Sequence, residues 1–281
     1  MRDSGRPARE PKRRTLALTG GLTVGLVVLL LIPALLGSSS LGARLTAATQ
    51  TFAQDVGLMS GPQVQAKTIS GTPAVGAIFR LSDGNLGNHF CTGSVVDSPH
   101  GDLVLTAAHC VSGVAAPQIA FVPEYDTGSM PYGIWHVTSI VVDDRWASSA
   151  DPDDDVAFLV LARQDGHPVE ALTGGEQIGI GERAGQMVRV TGYPAAADAP
   201  IACNNRVKTF SPTQLQFNCG GYTDGTSGSA LLTGVNPSTG LGTVIGVIGG
   251  YEQGGYVSWV SYAARFGANV AALYQEAIRE S

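Results

Sequence analysis

Residues 105–110 read Leu-Thr-Ala-Ala-His-Cys: a strand that ends in small residues and then presents a histidine followed at once by a cysteine. Two further segments belong with it. Asp155 leads directly into the apolar run Val156-Ala157-Phe158-Leu159. Ser227 stands in the glycine-rich turn Asp224-Gly225-Thr226-Ser227-Gly228-Ser229-Ala230. A serine hydroxyl barely ionises at neutral pH, so Ser227 needs a neighbouring base to take its proton during attack. The imidazole of His109 titrates near neutrality and can accept that proton and return it. A carboxylate on the other ring nitrogen, the part for Asp155, fixes the tautomer and stabilises the imidazolium. Glycines beside the nucleophile let backbone amides approach a substrate carbonyl. Gly225 and Ser227 are the candidate oxyanion donors, each worth about 3 kcal/mol. Asp151, Asp153 and Asp154 precede Asp155, but only Asp155 abuts the strand, and Asp154 would face the other way.

Outward from these segments, the chain from Ala74 onward consists of short apolar runs separated by Gly, Pro, Asp and Ser. They include Val75–Leu81, Phe90–Val96, Leu103–Ala107, Gln118–Val122, Ile134–Val142 and Thr243–Ile248. Many short strands with turn residues between them predict an all-β domain, a sandwich or a barrel. Near the C-terminus the period changes. Tyr262, Phe266, Val270, Leu273, Ala277 and Ile278 recur at helical spacing, which predicts a terminal helix laid on the β core.

The N-terminus is of another kind. Arg2, Arg6, Arg9, Lys12, Arg13 and Arg14 precede an apolar run over 15–36, the pattern of an export signal. The run is long enough to span a membrane once, and small residues suited to cleavage follow it, so a cleaved leader and a retained anchor are both open. Residues 1–37 are thus expected to be a signal or anchor, 38–72 a linker or pro-segment, and 73–281 the folded domain. Past Arg14, 11 basic residues face 21 acidic ones, a formal balance of −10. Such a surface does not track a phosphate backbone, so nucleic acid is not an expected partner.

Cysteines at 91, 110, 203 and 219 all fall in the expected exported part. An even count outside the cytosol reads as two disulfides, for which three pairings exist. No close C-x-x-C pair suggests zinc. His89, His100, His136 and His167 lie in no ligand spacing and read as structural, and the acidic run 151–155 lacks a full calcium-loop pattern. Neither a metal nor a cofactor is expected.

Together the three segments resemble the trypsin/chymotrypsin-type serine peptidases. Leu-Thr-Ala-Ala-His-Cys matches that family's histidine motif, Asp-Val-Ala-Phe-Leu is similar to its aspartate motif, and Gly-Thr-Ser-Gly-Ser to its serine motif. The order His, Asp, Ser is also the family's, and coverage runs from about Val75 to the terminal helix. The resemblance implies two packed antiparallel six-stranded β-barrels with a C-terminal α-helix and a cleft between the barrels. It implies a catalytic triad of His109, Asp155 and Ser227, and the disulfide pairs Cys91–Cys110 and Cys203–Cys219. It also places Gly221 at the floor of a substrate pocket faced by Gly249, Gly250 and Gly255, which offers no buried charge and suits an apolar or small residue before the scissile bond. Extracellular proteins or peptides are the implied substrates.

Two positions depart from the animal enzymes. Thr226 stands where they carry Asp, and Ser229 replaces a glycine, both as in bacterial secreted branches. An uncharged Thr226 cannot pair with a freed N-terminal ammonium, so a domain beginning anywhere between Ser60 and Ala74 is expected to turn over alike. Two other readings compete. A catalytically silent binding module on this fold would usually lack a triad member. An esterase would show a G-x-S-x-G elbow and the order Ser–Asp–His.

Overall fold

The computed structural model describes residues 64–281. The basic N-terminus, the apolar run over 15–36 and most of the expected linker lie outside the described residues. Among the described residues no helix is long and apolar enough to cross a membrane.

After a short strand β1 (Lys67–Thr68), six strands close on themselves. They are β2 (Val75–Ser82), β3 (Asn85–Val96), β4 (Leu103–Thr106), β5 (Ile119–Pro123), β6 (Trp135–Val142) and β7 (Ala157–Leu161), in the barrel order β2-β3-β4-β7-β6-β5. Strand side chains alternate between faces, and both faces of β4 and β7 are covered. Val104 and Leu159 point into the barrel with Ile78, Phe121 and Trp135. Leu103, Leu105, Phe158 and Val160 point outward against Val247, Ala264 and Phe266 of the second half. This two-sided burial accounts for the unbroken apolar runs that lead to His109 and away from Asp155.

The second half is a nine-stranded sheet. Its later strands are β8 (Gln177–Ile178), β9 (Met187–Gly192), β10 (Ile201–Arg206), β11 (Lys208–Thr209), β12 (Gln214–Phe217), β13 (Ala230–Thr233), β14 (Thr243–Ile248) and β15 (Ser261–Arg265). Their order is β1-β10-β9-β13-β14-β15-β12-β11, with β8 alongside β14. Hydrogen bonds therefore close one barrel, and the second sheet stays open between its end strands β1 and β11, beyond β10 and β12. That gap is spanned in other ways. Cys203 on β10 is bonded to Cys219, two residues past β12, and the Asn205 side-chain amide donates to the Asn218 carbonyl at 2.6 Å. A cross-link over a loop of this length stabilises by about 3 kcal/mol.

Among the described residues four α-helices accompany the strands: α1 (Ala108–Val111), α2 (Asp144–Ser149), α3 (Glu170–Thr173) and α4 (Ala268–Glu280). Of the stripe read in the sequence, Val270, Leu273 and Ala277 form the buried face of α4 on the outward side of β4 and β7. Tyr262 belongs to β15 and Phe266 to the connection before the helix, so the helix starts later than the spacing predicts.

The stretch expected to be linker ends earlier than residue 72. Gly220 donates to the Val64 carbonyl at 2.7 Å, Ala66 donates to the Gly220 carbonyl at 2.9 Å, and Ile69 donates to the Pro200 carbonyl at 3.0 Å. β1 then pairs antiparallel with β10. Polar and glycine-poor as it is, 64–69 is ordered by backbone bonds to an open sheet edge, which side-chain composition does not reveal.

Candidate active site

His109 sits in α1, one turn that starts where β4 ends. Cys110 ties this turn to Cys91 on β3, with Cα atoms 6.2 Å apart. Asp155 caps the turn before β7 and is fully buried. Its Oδ2 lies 2.7 Å from His109 Nδ1, and its Oδ1 accepts from the His109 backbone N–H at 2.8 Å. A third donor, the Gly250 N–H, reaches Oδ2 at 2.8 Å. A carboxylate only accepts, so the proton of the imidazole is on Nδ1 and Nε2 is left as the base. The imidazole is 14% exposed, open to the cleft.

Ser227 enters from the second half, in the loop between β12 and β13. It lines one cavity of about 360 Å³ together with His109, Cys91 and Gly225. The hydrogen bonds of His109 go to Asp155, and none joins its ring to Ser227. The turn around Ser227 requires its glycines. Gly225 has φ +91°, and a Cβ there would overlap the Ala195 nitrogen and the Tyr193 carbonyl. Gly228 has φ +85°, and a Cβ there would overlap the Thr92 carbonyl and the Thr106 hydroxyl. The two departures from the animal motif make local bonds. The buried Thr226 hydroxyl donates to the Thr223 carbonyl at 2.7 Å, and the Ser229 hydroxyl to the Thr226 carbonyl at 2.7 Å.

Beside Ser227 opens a cavity of about 640 Å³ walled by Tyr222, Thr226, Ile248, Gly255, Ser258 and Ser261, among others. Of the four glycines expected here, Gly255 alone lines it. Gly221 is exposed and faces Ala66, just before β1, and Ile201 on β10. Gly249 faces the Asp155 carboxylate, and Gly250 faces the Gln214 side chain. The backbone turns at Gly221, and Tyr222 lines the space instead. No Lys, Arg or His lines the cavity, and its one acid, Asp224, is exposed.

Of the other histidines, His89 is buried, with Nε2 3.2 Å from the Ala197 carbonyl; burial lowers its pKa. His100 bonds to the Ser281 hydroxyl at 2.7 Å. His136 and His167 are exposed. One cluster among the described residues brings metal-ligating atoms together, Cys91, His109 and Cys110, but its sulfurs are bonded to each other and are not free thiolates. Two buried partners escaped the sequence reading. The Gly250 N–H has no side-chain signature. Thr92 gave none beyond its place after Cys91.

The trypsin-like peptidase domain matches residues 91–247, more than half of the chain, and the chain belongs to that family. Among curated proteins none matches in sequence. Solved structures do. The protease Anisep from Arthrobacter nicotinovorans superposes with a TM-score of 0.65 at 25% identity, over 76% of this chain and 99% of that one. AL20, a thermostable serine protease from an extremophilic microorganism, gives 0.63 at 25% identity, over 75% and 99%. A Glu endopeptidase gives 0.60 at 15% identity, over 78% and 98%, and shares the fold. The chain is a serine peptidase, and its substrates are peptides or proteins.

Proposed function

We propose that this chain is an exported serine endopeptidase in which Ser227 is the nucleophile, His109 the general base and acid, and Asp155 the group that orients the imidazole. The observation that carries the reading is the grip of a fully buried Asp155 on His109 Nδ1, across the cavity from Ser227.

In this mechanism Ser227 Oγ attacks the scissile carbonyl carbon while its proton passes to His109 Nε2. The Gly225 and Ser227 N–H groups receive the developing oxyanion. His109 then gives the proton to the amine as the C–N bond breaks, leaving an ester on Ser227. Water, deprotonated by the same nitrogen, releases the acid and restores the hydroxyl. The neighbouring cavity is partly apolar, holds no cation and has its one acid, Asp224, exposed, which favours an apolar or small residue before the scissile bond. Two disulfides and the basic-apolar N-terminus support export, with residues 1–37 serving as a cleaved signal or a retained anchor. A fluorophosphonate probe tests the assignment. Labelling and peptide hydrolysis are both expected in the wild type and both lost in Ser227→Ala. Full hydrolysis by that variant would sink it.

A further inference from the structure

Four hydrogen bonds converge on Thr92, a fully buried residue of β3 that follows Cys91. Its hydroxyl accepts from the Tyr193 N–H at 2.9 Å and donates to the Gly225 carbonyl at 3.0 Å. Its N–H donates to the Ser227 carbonyl at 2.8 Å. Its own carbonyl accepts from the Thr106 hydroxyl at 2.8 Å. We propose that Thr92 is a positioning residue that fixes, from the first barrel, the direction of the Gly225 N–H. The inference rests on the reading of Gly225 and Ser227 as oxyanion donors.

The reason lies in the freedom of glycine. With φ at +91°, Gly225 occupies a region that side chains avoid, and nothing in its own covalent structure holds it there. The Gly225 N–H lies in the peptide plane before the residue, and that plane is free to rotate about Gly225 unless the plane after it is held as well. The Asp224 carbonyl, in the plane before, accepts from the Ala195 N–H at 2.7 Å. A trans peptide sets the Gly225 N–H opposite that carbonyl. The plane after is held by Thr92. With both carbonyls bonded, Gly225 cannot turn without breaking one of these bonds, and leaving its own buried carbonyl unpaired costs about 1–3 kcal/mol.

Thr92 is suited to this task because its own hydroxyl has little choice. Tyr193 donates to the oxygen, so the hydroxyl proton goes to Gly225. The turn also presses on Thr92 directly, since a Cβ on Gly228 would overlap the Thr92 carbonyl. An uncharged buried Thr226, bonded to Thr223, leaves the turn without an ion pair, and these contacts do its ordering instead.

Thr92→Val keeps the volume and removes the hydroxyl, whereas Thr92→Ser keeps the hydroxyl. After Ser227→Ala has been compared with the wild type, kcat, KM and the affinity for a tetrahedral-forming peptide boronic acid are measured for both Thr92 variants, with a peptide acid product as ground-state ligand. Thr92→Val is expected to lose about 10- to 100-fold in kcat and a similar factor in boronate affinity, as a donor is misaligned rather than deleted. Binding of the peptide acid should stay within about threefold, and Thr92→Ser should lie within about threefold of wild type throughout. Wild-type turnover by Thr92→Val, equal loss of product and boronate binding, or no rescue by Thr92→Ser would each overturn the inference. If Thr92→Val does not fold, Thr92→Ala is read in the same way. Failure of both to fold also overturns it, because the hydroxyl would then serve the core. A wild-type protein that neither labels nor hydrolyses sinks the reading of Ser227 and Gly225, and this inference with it.

Discussion

Asp155 holds His109 at two points, accepting from its backbone N–H on one oxygen at 2.8 Å and lying 2.7 Å from its ring nitrogen with the other. The carboxylate therefore sets both where α1 begins and how the imidazole is turned. In Asp155→Asn, either orientation of the amide points an N–H at a backbone N–H, of His109 or of Gly250. One orientation also forces the wrong tautomer on the ring. We expect a folded protein whose kcat falls roughly 10⁴-fold, as when the orienting carboxylate is replaced by its amide in enzymes of this design. Turnover of a small ester, normalised to folded protein, checks this. A loss below tenfold would show that Asp155 is not the orienting group.

Groups that act as one unit do not add. Once Ser227→Ala has removed the nucleophile, adding His109→Ala should cost no more than about threefold further in kcat. A second loss as large as that of His109→Ala alone would mean that the histidine has a separate role.

The two disulfides should fail differently. Replacing Cys203 and Cys219 by Ser frees the open edges of the second sheet and should cost about 3 kcal/mol in denaturant unfolding, with kcat little changed below the transition. Cys91 and Cys110 instead join the residue before Thr92 to the residue after His109. Their replacement should lower kcat well below the transition temperature as well as stability. Equal kcat in the two double variants counts against this division.

How much of this was legible depends on what side chains can announce. His109, Asp155 and Ser227 each stand at a change of texture, strand to small residues, acid to apolar run, or glycine turn, and these changes are visible along one dimension. The fold class followed from the same runs, because β4 and β7 are buried on both faces. What could not be read was carried by backbone. The Gly250 N–H on Asp155, the Gly220 bonds to Val64 and Ala66, and the open ends of the second sheet at β1 and β11 involve groups that every residue possesses. Gly221, Gly249 and Gly250 lie off the cavity for a related reason. Positive φ at Gly221 and Gly250 turns the chain, so a position counted from Ser227 does not tell which residue faces the cavity.

Glu176 gives a pH signature. It is buried where the two halves meet, its Oε2 accepts from the Gly242 N–H at 2.5 Å, and burial raises its pKa from the ordinary 4.5 to about 7. Between those values the folded state holds a proton that the unfolded state has released. Stability therefore falls as pH rises through this window and levels off above it, by up to about 3 kcal/mol from this group. Glu176→Gln, which keeps an acceptor for Gly242, should remove that slope and be the more stable protein at pH 8, with little difference at pH 4.5. Urea midpoints at the two pH values decide it, and parallel curves for both proteins refute the assignment.

The last prediction concerns where the working domain begins. Thr226 satisfies its hydroxyl on the Thr223 carbonyl, so the nucleophile turn carries no buried charge that calls for a terminal ammonium. Burying that ammonium unpaired would be unfavourable by several kcal/mol. Proteins beginning between Ser60 and Val64 should accordingly turn over alike, and acetylating the terminal amine should change nothing. Later starts, out to Ala74, should keep the same turnover of a small ester but not the same stability. A protein beginning at Ser70 lacks the backbone bonds that Val64, Ala66 and Ile69 make to Gly220 and Pro200, together with β1. At about 1 kcal/mol for each such bond, it should lose a few kcal/mol of stability. Gly220 lies two residues before Tyr222, which walls the larger cavity, so KM for a peptide should rise while kcat on a small ester stays within about threefold of the longer forms. A kcat that depends steeply on one terminal residue, and disappears on acetylation, would show that an ammonium switch operates here after all.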